Sequence, residues 1–159
     1  MCWQCDNPDK TRADYLEMLQ GVIDTHGWAV QAVEKDRWRP GFHYTVGLTP
    51  FCIPELLVTG MRQREAMDLL NGAAHHLIHH AAPPFIHGDR DQWEHGVSTE
   101  AVDVAEPSIH LVMAYELYGP AVRAVQLVYA DDHGRWPWEV GFRGRQSVLG
   151  PRALSERAP

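Results

Sequence analysis

Two periodicities alternate along the chain. Over residues 8–27, Tyr15, Leu16, Leu19, Val22 and Ile23 recur at the spacing of a helix with one apolar stripe. Thr11 with Asp14 forms a capping-box-like start, and Gly27 supplies the stop. The period then shortens to two. Residues 28–33, "WAVQAV", read as a strand that ends in the charged turn "EKDRWRPG". In "FHYTVGLT", residues 42–49, Phe42, Tyr44 and Val46 alternate with His43, Thr45 and Gly47, so a second strand is expected. "PELLVTG", residues 54–60, is a third. Residues 61–82 return to the helical period through Ala66, Leu69, Leu70, Ala73, Ala74, Leu77 and Ile78, and Pro83 and Pro84 end that helix. A loop follows. "STEAVDVAE" predicts a strand, "PSIHLVMAYELYG" a short helix opened by Pro107, and "VRAVQLVYAD" a strand closed by the turn "DDHG". "RWPWEVGF" reads as an aromatic loop or edge strand.

The order is helix, three strands, helix, strand, helix, strand, with no repeat and no linker. This is the pattern of one α+β domain over residues 1–150, with a mixed or mostly antiparallel sheet packed by two to three helices. Residues 151–159 read as a frayed tail. Strand order is not legible in the pattern. A length of 159 residues and a 45% hydrophobic share fit a single domain with a core. Six tryptophans favour aromatic-lined surfaces or pockets.

Charge narrows the function. A formal charge of -7 argues against a nucleic-acid binder, which needs a basic field. Arg143, Arg145, Arg152 and Arg157 make the C-terminal end locally basic, most simply as a solvated tail. No apolar run approaches the roughly 18 residues of a membrane span, and no basic segment leads an apolar stretch at the start. Three cysteines form no disulfide framework, so the expected compartment is the cytoplasm. The phosphate loop G-x-x-x-x-G-K-[ST], G-x-G-x-x-G and the G-x-S-x-G elbow are all absent, so no nucleotide cofactor is expected.

Two clusters carry metal-binding residue types. His75, His76, His79 and His80 lie on one helix, where i, i+4 pairs share a face. At 100° per residue, His75 and His79 fall with Arg64, Asp68 and Asn71 opposite the stripe, on a solvated face. His76 and His80 fall at its border. The glutamate of H-E-x-x-H is missing, which excludes the zinc protease motif. Cys2 and Cys5 form a C-x-x-C around Trp3, a spacing that can chelate zinc through two thiolates. A tetrahedral site needs two more ligands, for which Cys52 and one of His26, His43 or His110 are the candidates. The alternative is that the segment anchors itself by burying Trp3.

"MCWQCDNPD", "YTVGLT" followed by "IPELLVTG", "LLNGAAHHL" and "VQLVYADDHGRWPWEVGF" resemble the family catalogued as domain of unknown function 4262. The likeness runs over roughly residues 1–150. It implies a small soluble bacterial domain of a kind frequent in actinobacteria, and no activity that carries over.

The residues in those stretches have a chemistry of their own. Glu55 follows the strand-starting Pro54 and would be a general base or metal ligand if it projects into a cleft, with Tyr44 and His43 beside it as catalytic candidates. The more economical alternative is that it caps or pairs locally at a sheet edge. Gln126 sits mid-strand in an apolar run, where a buried amide must find partners in a network or a ligand. Trp136 and Trp138 flank Pro137, which should send their rings to different sides, one to the core and one to a ligand or a second copy. The resulting expectation is a domain that binds a transition metal such as zinc, or uses its thiols, and acts on or senses a small molecule. The rivals are a homodimeric interaction module and a metal-free enzyme built on the Tyr44 and Glu55 neighbourhood.

Overall fold

Thr11 opens the first long helix as its spacing predicts. The computed structural model describes residues 3–152, in which a helical turn, α1 (Trp3–Asp6), precedes α2 (Arg12–His26). The Thr11 hydroxyl accepts from the Asp14 amide, and the Asp14 carboxylate accepts from the Thr11 amide at 2.7 Å. Gly27 stops the helix at φ +93°, a conformation that only glycine adopts cheaply.

The strands are β1 (Ala29–Val33), β2 (Phe42–Val46), β3 (Glu55–Thr59), β4 (Arg90–Gln92), β5 (Ser98–Asp103) and β6 (Ala124–Tyr129). Between β3 and β4 runs α3 (Gln63–His79), and between β5 and β6 run α4 (Pro107–His110) and α5 (Val112–Tyr118). They form one six-stranded sheet in the order β1-β2-β3-β6-β5-β4. Only β3 and β6 run parallel; every other pair is antiparallel. The class is α+β with a mixed, mostly antiparallel sheet, as expected.

Alternation along the strands sends side chains to two cores. Leu56, Val58, Val125 and Leu127 meet the stripe of α3 on one face. Tyr44, Val46, Leu57 and Ala124 meet Leu19 and Ile23 of α2 and Ala114 of α5 on the other. The pattern misses β4, because all three of its residues are exposed and none is apolar. Such a polar, short edge strand resists pairing with a second sheet. The helix expected over 107–119 is broken at Leu111, whose φ of -95° and ψ of 59° divide α4 from α5. The strand expected over 42–49 stops at Val46, for a reason given below.

A third contribution to the second face comes from the end of the chain. Residues 146–149 cross the sheet there, pinned by Gln126 and Thr59. The Gln126 amide donates to the Ser147 carbonyl at 2.7 Å, and its Oε1 accepts from the Leu149 amide at 2.8 Å. The Thr59 hydroxyl donates to the Ser147 carbonyl and accepts from the Ser147 amide. Gln126 is thus a member of a buried network. Gly60, at φ +67°, makes the crossing possible, since a Cβ there would lie 2.4 Å from the Arg145 carbonyl oxygen.

The loop after β6 is organised by Asp131. Its carboxylate accepts from the amides of His133, Arg135 and Arg143, each at 2.9 Å. Burial works to raise its pKa, and the amides of Arg135, Arg143 and His133 outweigh that, taking it from 3.8 to about 2.

Two outcomes follow from these networks. Replacing Gln126 by Leu should cost ~1–3 kcal/mol in urea unfolding, because Ser147 and Leu149 lose buried partners. It should also speed amide exchange at 146–149 while α2 stays protected. For Asp131 the folded pKa lies below the ordinary value, so its stabilisation is complete above about pH 4 and lost as pH falls through about 2. The stability gap between the wild type and Asp131→Asn, followed by urea unfolding, should close across that interval.

Candidate functional site

Of the residues marked by their chemistry, Glu55 and Gln126 are both fully buried, and Glu55 carries the charge. It has no exposure, and its two carboxylate oxygens accept five hydrogen bonds. Oε2 accepts from the Thr45 hydroxyl at 2.7 Å. Oε1 accepts from the amides of Gly47, Leu48 and Thr49 at 3.1, 3.0 and 2.9 Å, and from the Thr49 hydroxyl at 2.8 Å. Three successive amides turned onto one oxygen form a nest. They are also why β2 ends at Val46: residues 47–49 give their donors to Glu55 and not to a ladder. The Thr45 hydroxyl in turn accepts from the Leu56 amide, tying β2 to β3. Burial holds the Glu55 carboxyl above its ordinary value, and the donors from Thr45, Thr49 and Gly47 offset only part of that rise. Every partner is a donor, which matches the ionised form. Glu55 does not project into a cleft, as a general base would have to; it holds a turn.

Tyr44 is also inside the second core. Its hydroxyl accepts from the Met113 amide at 3.0 Å, and burial raises its pKa. His43 is the exception. As the neighbour of Tyr44 in β2 it points to the opposite face, where it lines a cleft of about 1110 Å³ between the β1–β2 hairpin and the start of α3. The residue is 7% exposed, and its Nδ1 is buried with no hydrogen-bond partner. Burial lowers its pKa, which favours the neutral imidazole. The hairpin side of the cleft is ordered by Asp36, whose Oδ1 accepts from the amides of Trp38 and Arg39 at 2.7 and 2.8 Å. That turn presents Trp38, 83% exposed, with the Arg37 guanidinium 5.2 Å from its ring centre. Arg145 reaches the same cleft from the far end of the chain. In the sequence Arg145 belongs to a solvated tail, because nothing local marks the crossing of residues 146–149.

Among the described residues the metal candidates do not converge. Cys2 lies outside the described residues, as does the expected burial of the Trp3 side chain. Cys5 and Cys52 are exposed, and His26 is exposed at the end of α2. Among the described residues no group of three or more His, Cys, Asp or Glu side chains is placed to hold a metal ion. His75, His76, His79 and His80 are all exposed, and His75, His76 and His80 line a second cleft beside Asp68, Asp89 and Asp91. His79 leans on Trp28, with ring centres 6.0 Å apart.

The two tryptophans around Pro137 do not diverge. Their rings are stacked, 3° from parallel and 5.6 Å between centres. The segment is a turn and not an extended strand: the Glu139 amide donates to the Trp136 carbonyl at 2.9 Å, and the Glu139 carboxylate accepts from the Trp136 amide. Proline inside such a turn folds the chain back, so residues two apart share a side. Trp136 packs against Val102 and Val128, with Trp138 over it. Arg90 and Arg152 cover the outer ring faces, each guanidinium 4.6 Å from a ring centre. Trp136, Trp138 and Gln126 therefore line neither cleft.

A family model, described as Domain of unknown function (DUF4262), matches residues 22–143. The chain belongs to that family. The matched segment holds the whole sheet, the Glu55 nest and His43, and stops short of Arg145 and the crossing at 146–149. No curated protein and no solved structure matches the chain significantly. Among the described residues, no helix is long and apolar enough to cross a membrane.

The nest predicts a specific failure. Glu55→Gln keeps the shape but turns an amide N–H₂ toward donors, so it should lose ~2–4 kcal/mol in chemical unfolding. The folded fraction should keep an unaltered environment at His43, read from the imidazole proton resonances. Wild-type stability in this variant would remove Glu55 from its structural role.

Proposed function

We propose that this domain binds a small molecule in the cleft between the β1–β2 hairpin and the start of α3, with His43 in the wall. The observation that carries this reading is the orphaned Nδ1 of a residue that is only 7% exposed. A buried polar nitrogen without a partner is costly, and folded chains leave few of them. Turning the ring would bring that nitrogen to a ligand in the cleft, and an imidazole that completes its hydrogen bonding in this way accounts for an orphan at a cleft wall. Trp38 supports the same reading. A large ring held 83% exposed by an ordered turn, with the Arg37 guanidinium near its centre, is a stacking platform at the mouth of the cleft.

Binding, and not catalysis, is the role this arrangement supports best. The catalytic group expected from the sequence, Glu55 with Tyr44 and His43, is not assembled in the cleft. Tyr44 and Glu55 are engaged elsewhere in the fold, and His43 alone of the three faces the cleft.

A library of small polar and aromatic compounds, screened by thermal shift and ligand-observed NMR, tests the proposal. Compounds that bind the wild type should lose about tenfold or more in affinity with His43→Phe, a loss of ~1.4 kcal/mol or more. They should also weaken with Trp38→Ala. Hits that are indifferent to both substitutions would place the ligand elsewhere and sink the reading.

A further inference from the structure

The lining of the cleft has a charge opposite to that of the chain. Five basic residues, Lys35, Arg37, Arg39, Arg62 and Arg145, line it, against two acidic ones, Glu34 and Asp36. The whole sequence carries -7. Asp36 is already occupied by the amides of Trp38 and Arg39 and by the Arg39 guanidinium at 3.4 Å. Arg62, Arg145 and Lys35 make no ion pair among the described residues. A local basic patch on an acidic protein concentrates anions at that point.

The start of α3 adds direction to the charge. Gly60, Met61, Arg62 and Gln63, the residues that lead into this 17-residue helix, line the same cleft. Arg62 at the N-cap makes no side-chain capping bond. The α2 start is closed by its Thr11 box; α3 has nothing equivalent. The first-turn amides of any helix lack intrahelical acceptors, and the helix dipole puts partial positive charge there. His43, buried and with Nδ1 unpartnered, stands in the same wall and is the independent sign that a polar partner is missing.

We infer that the ligand of this cleft carries a phosphate group, seated at the uncapped first turn of α3 between Arg62 and Arg145 with His43 beside it. The inference rests on the proposal that the cleft binds a small molecule. Phosphate is favoured over carboxylate because it has more oxygens and more charge. It can accept from first-turn amides and from two guanidinium groups together, whereas two carboxylate oxygens leave part of that donor set unused. Trp38 at the rim suits a planar group attached to the phosphate.

The test is a titration of the full chain at constant ionic strength, followed by ¹⁵N–¹H spectra. The probes are inorganic phosphate, phenyl phosphate, sodium acetate and uncharged benzyl alcohol. Inorganic phosphate should move the amides of Gln63, Arg64 and Glu65 in a saturable way. Phenyl phosphate should do so at lower concentration and also move the Trp38 indole. The double variant Arg62→Gln, Arg145→Gln should weaken phosphate binding about tenfold or more. Both arginines are exposed, and unshifted resonances from α2 in that variant would show that the fold is intact. Acetate that binds as well as phosphate, or phosphate binding that the double variant leaves unaltered, would overturn the assignment. Saturable binding of benzyl alcohol near His43 with no response to phosphate would overturn it while the small-molecule reading stands. No saturable response to any probe, with no hit in the library screen, would remove both.

Discussion

Glu55 sits where the sheet changes direction, and most of the molecule's placement depends on what its carboxylate holds. Three consecutive amides and two hydroxyls donate to it, in a position with no contact with water. An ion in such a place is tolerable only with its hydrogen bonding complete, and removing one side of the arrangement leaves buried donors unmatched. The bond from the Leu56 amide to the Thr45 hydroxyl extends the same arrangement into the ladder between β2 and β3. The Glu55 amide donates to the Arg123 carbonyl at the start of the parallel pairing with β6. Through its side chain and its backbone amide, one residue thus joins three central strands.

From that junction the cleft follows. β3 leads through Gly60 directly into α3, so the register of β2 against β3 decides which residue of β2 faces the helix start. The register pairs His43 with Val58 and Tyr44 with Leu57. A slip of one residue would exchange the two, putting a phenol at the cleft and the imidazole in the core. The crossing at 146–149, held by Gln126 and Thr59, then brings Arg145 to the same place. Glu55, which the sequence offered as a base, and Gln126, which it offered as a network or ligand residue, position the cleft and do not line it.

The second cleft shows the other use of polar surface. Its wall combines His75, His76 and His80 with Asp68, Asp89 and Asp91, yet these side chains form no metal-holding group among the described residues. The rings of His75 and His79 lie 4.6 Å apart. Imidazoles at i, i+4 spacing approach one another on any helix, and proximity alone does not build a coordination shell. The stacked Trp136 and Trp138, each with an arginine over its ring, close a corner of the core.

Local periodicity was enough to read α2, α3 and five of the six strands, since amphipathic spacing reports directly on which side of an element is buried. It was enough as well for the cap at Thr11 and the stop at Gly27, which are made by neighbours in the chain. The polar β4 was illegible because an exposed edge strand has no apolar alternation to betray it. The roles of Glu55, Gln126, Trp138 and Arg145 could not be read either. A glutamate after a proline looks the same whether it enters a cleft or gathers three amides, and the difference lies in where residues 47–49 turn. Likewise, an arginine near the end of the chain reads as solvated until the fold lays residues 146–149 across the sheet. Hydrophobic spacing is a property of adjacent residues and survives in the sequence. Hydrogen-bond partners and the gathering of like charges are set by strand order and register, and those exist only once the sheet has formed.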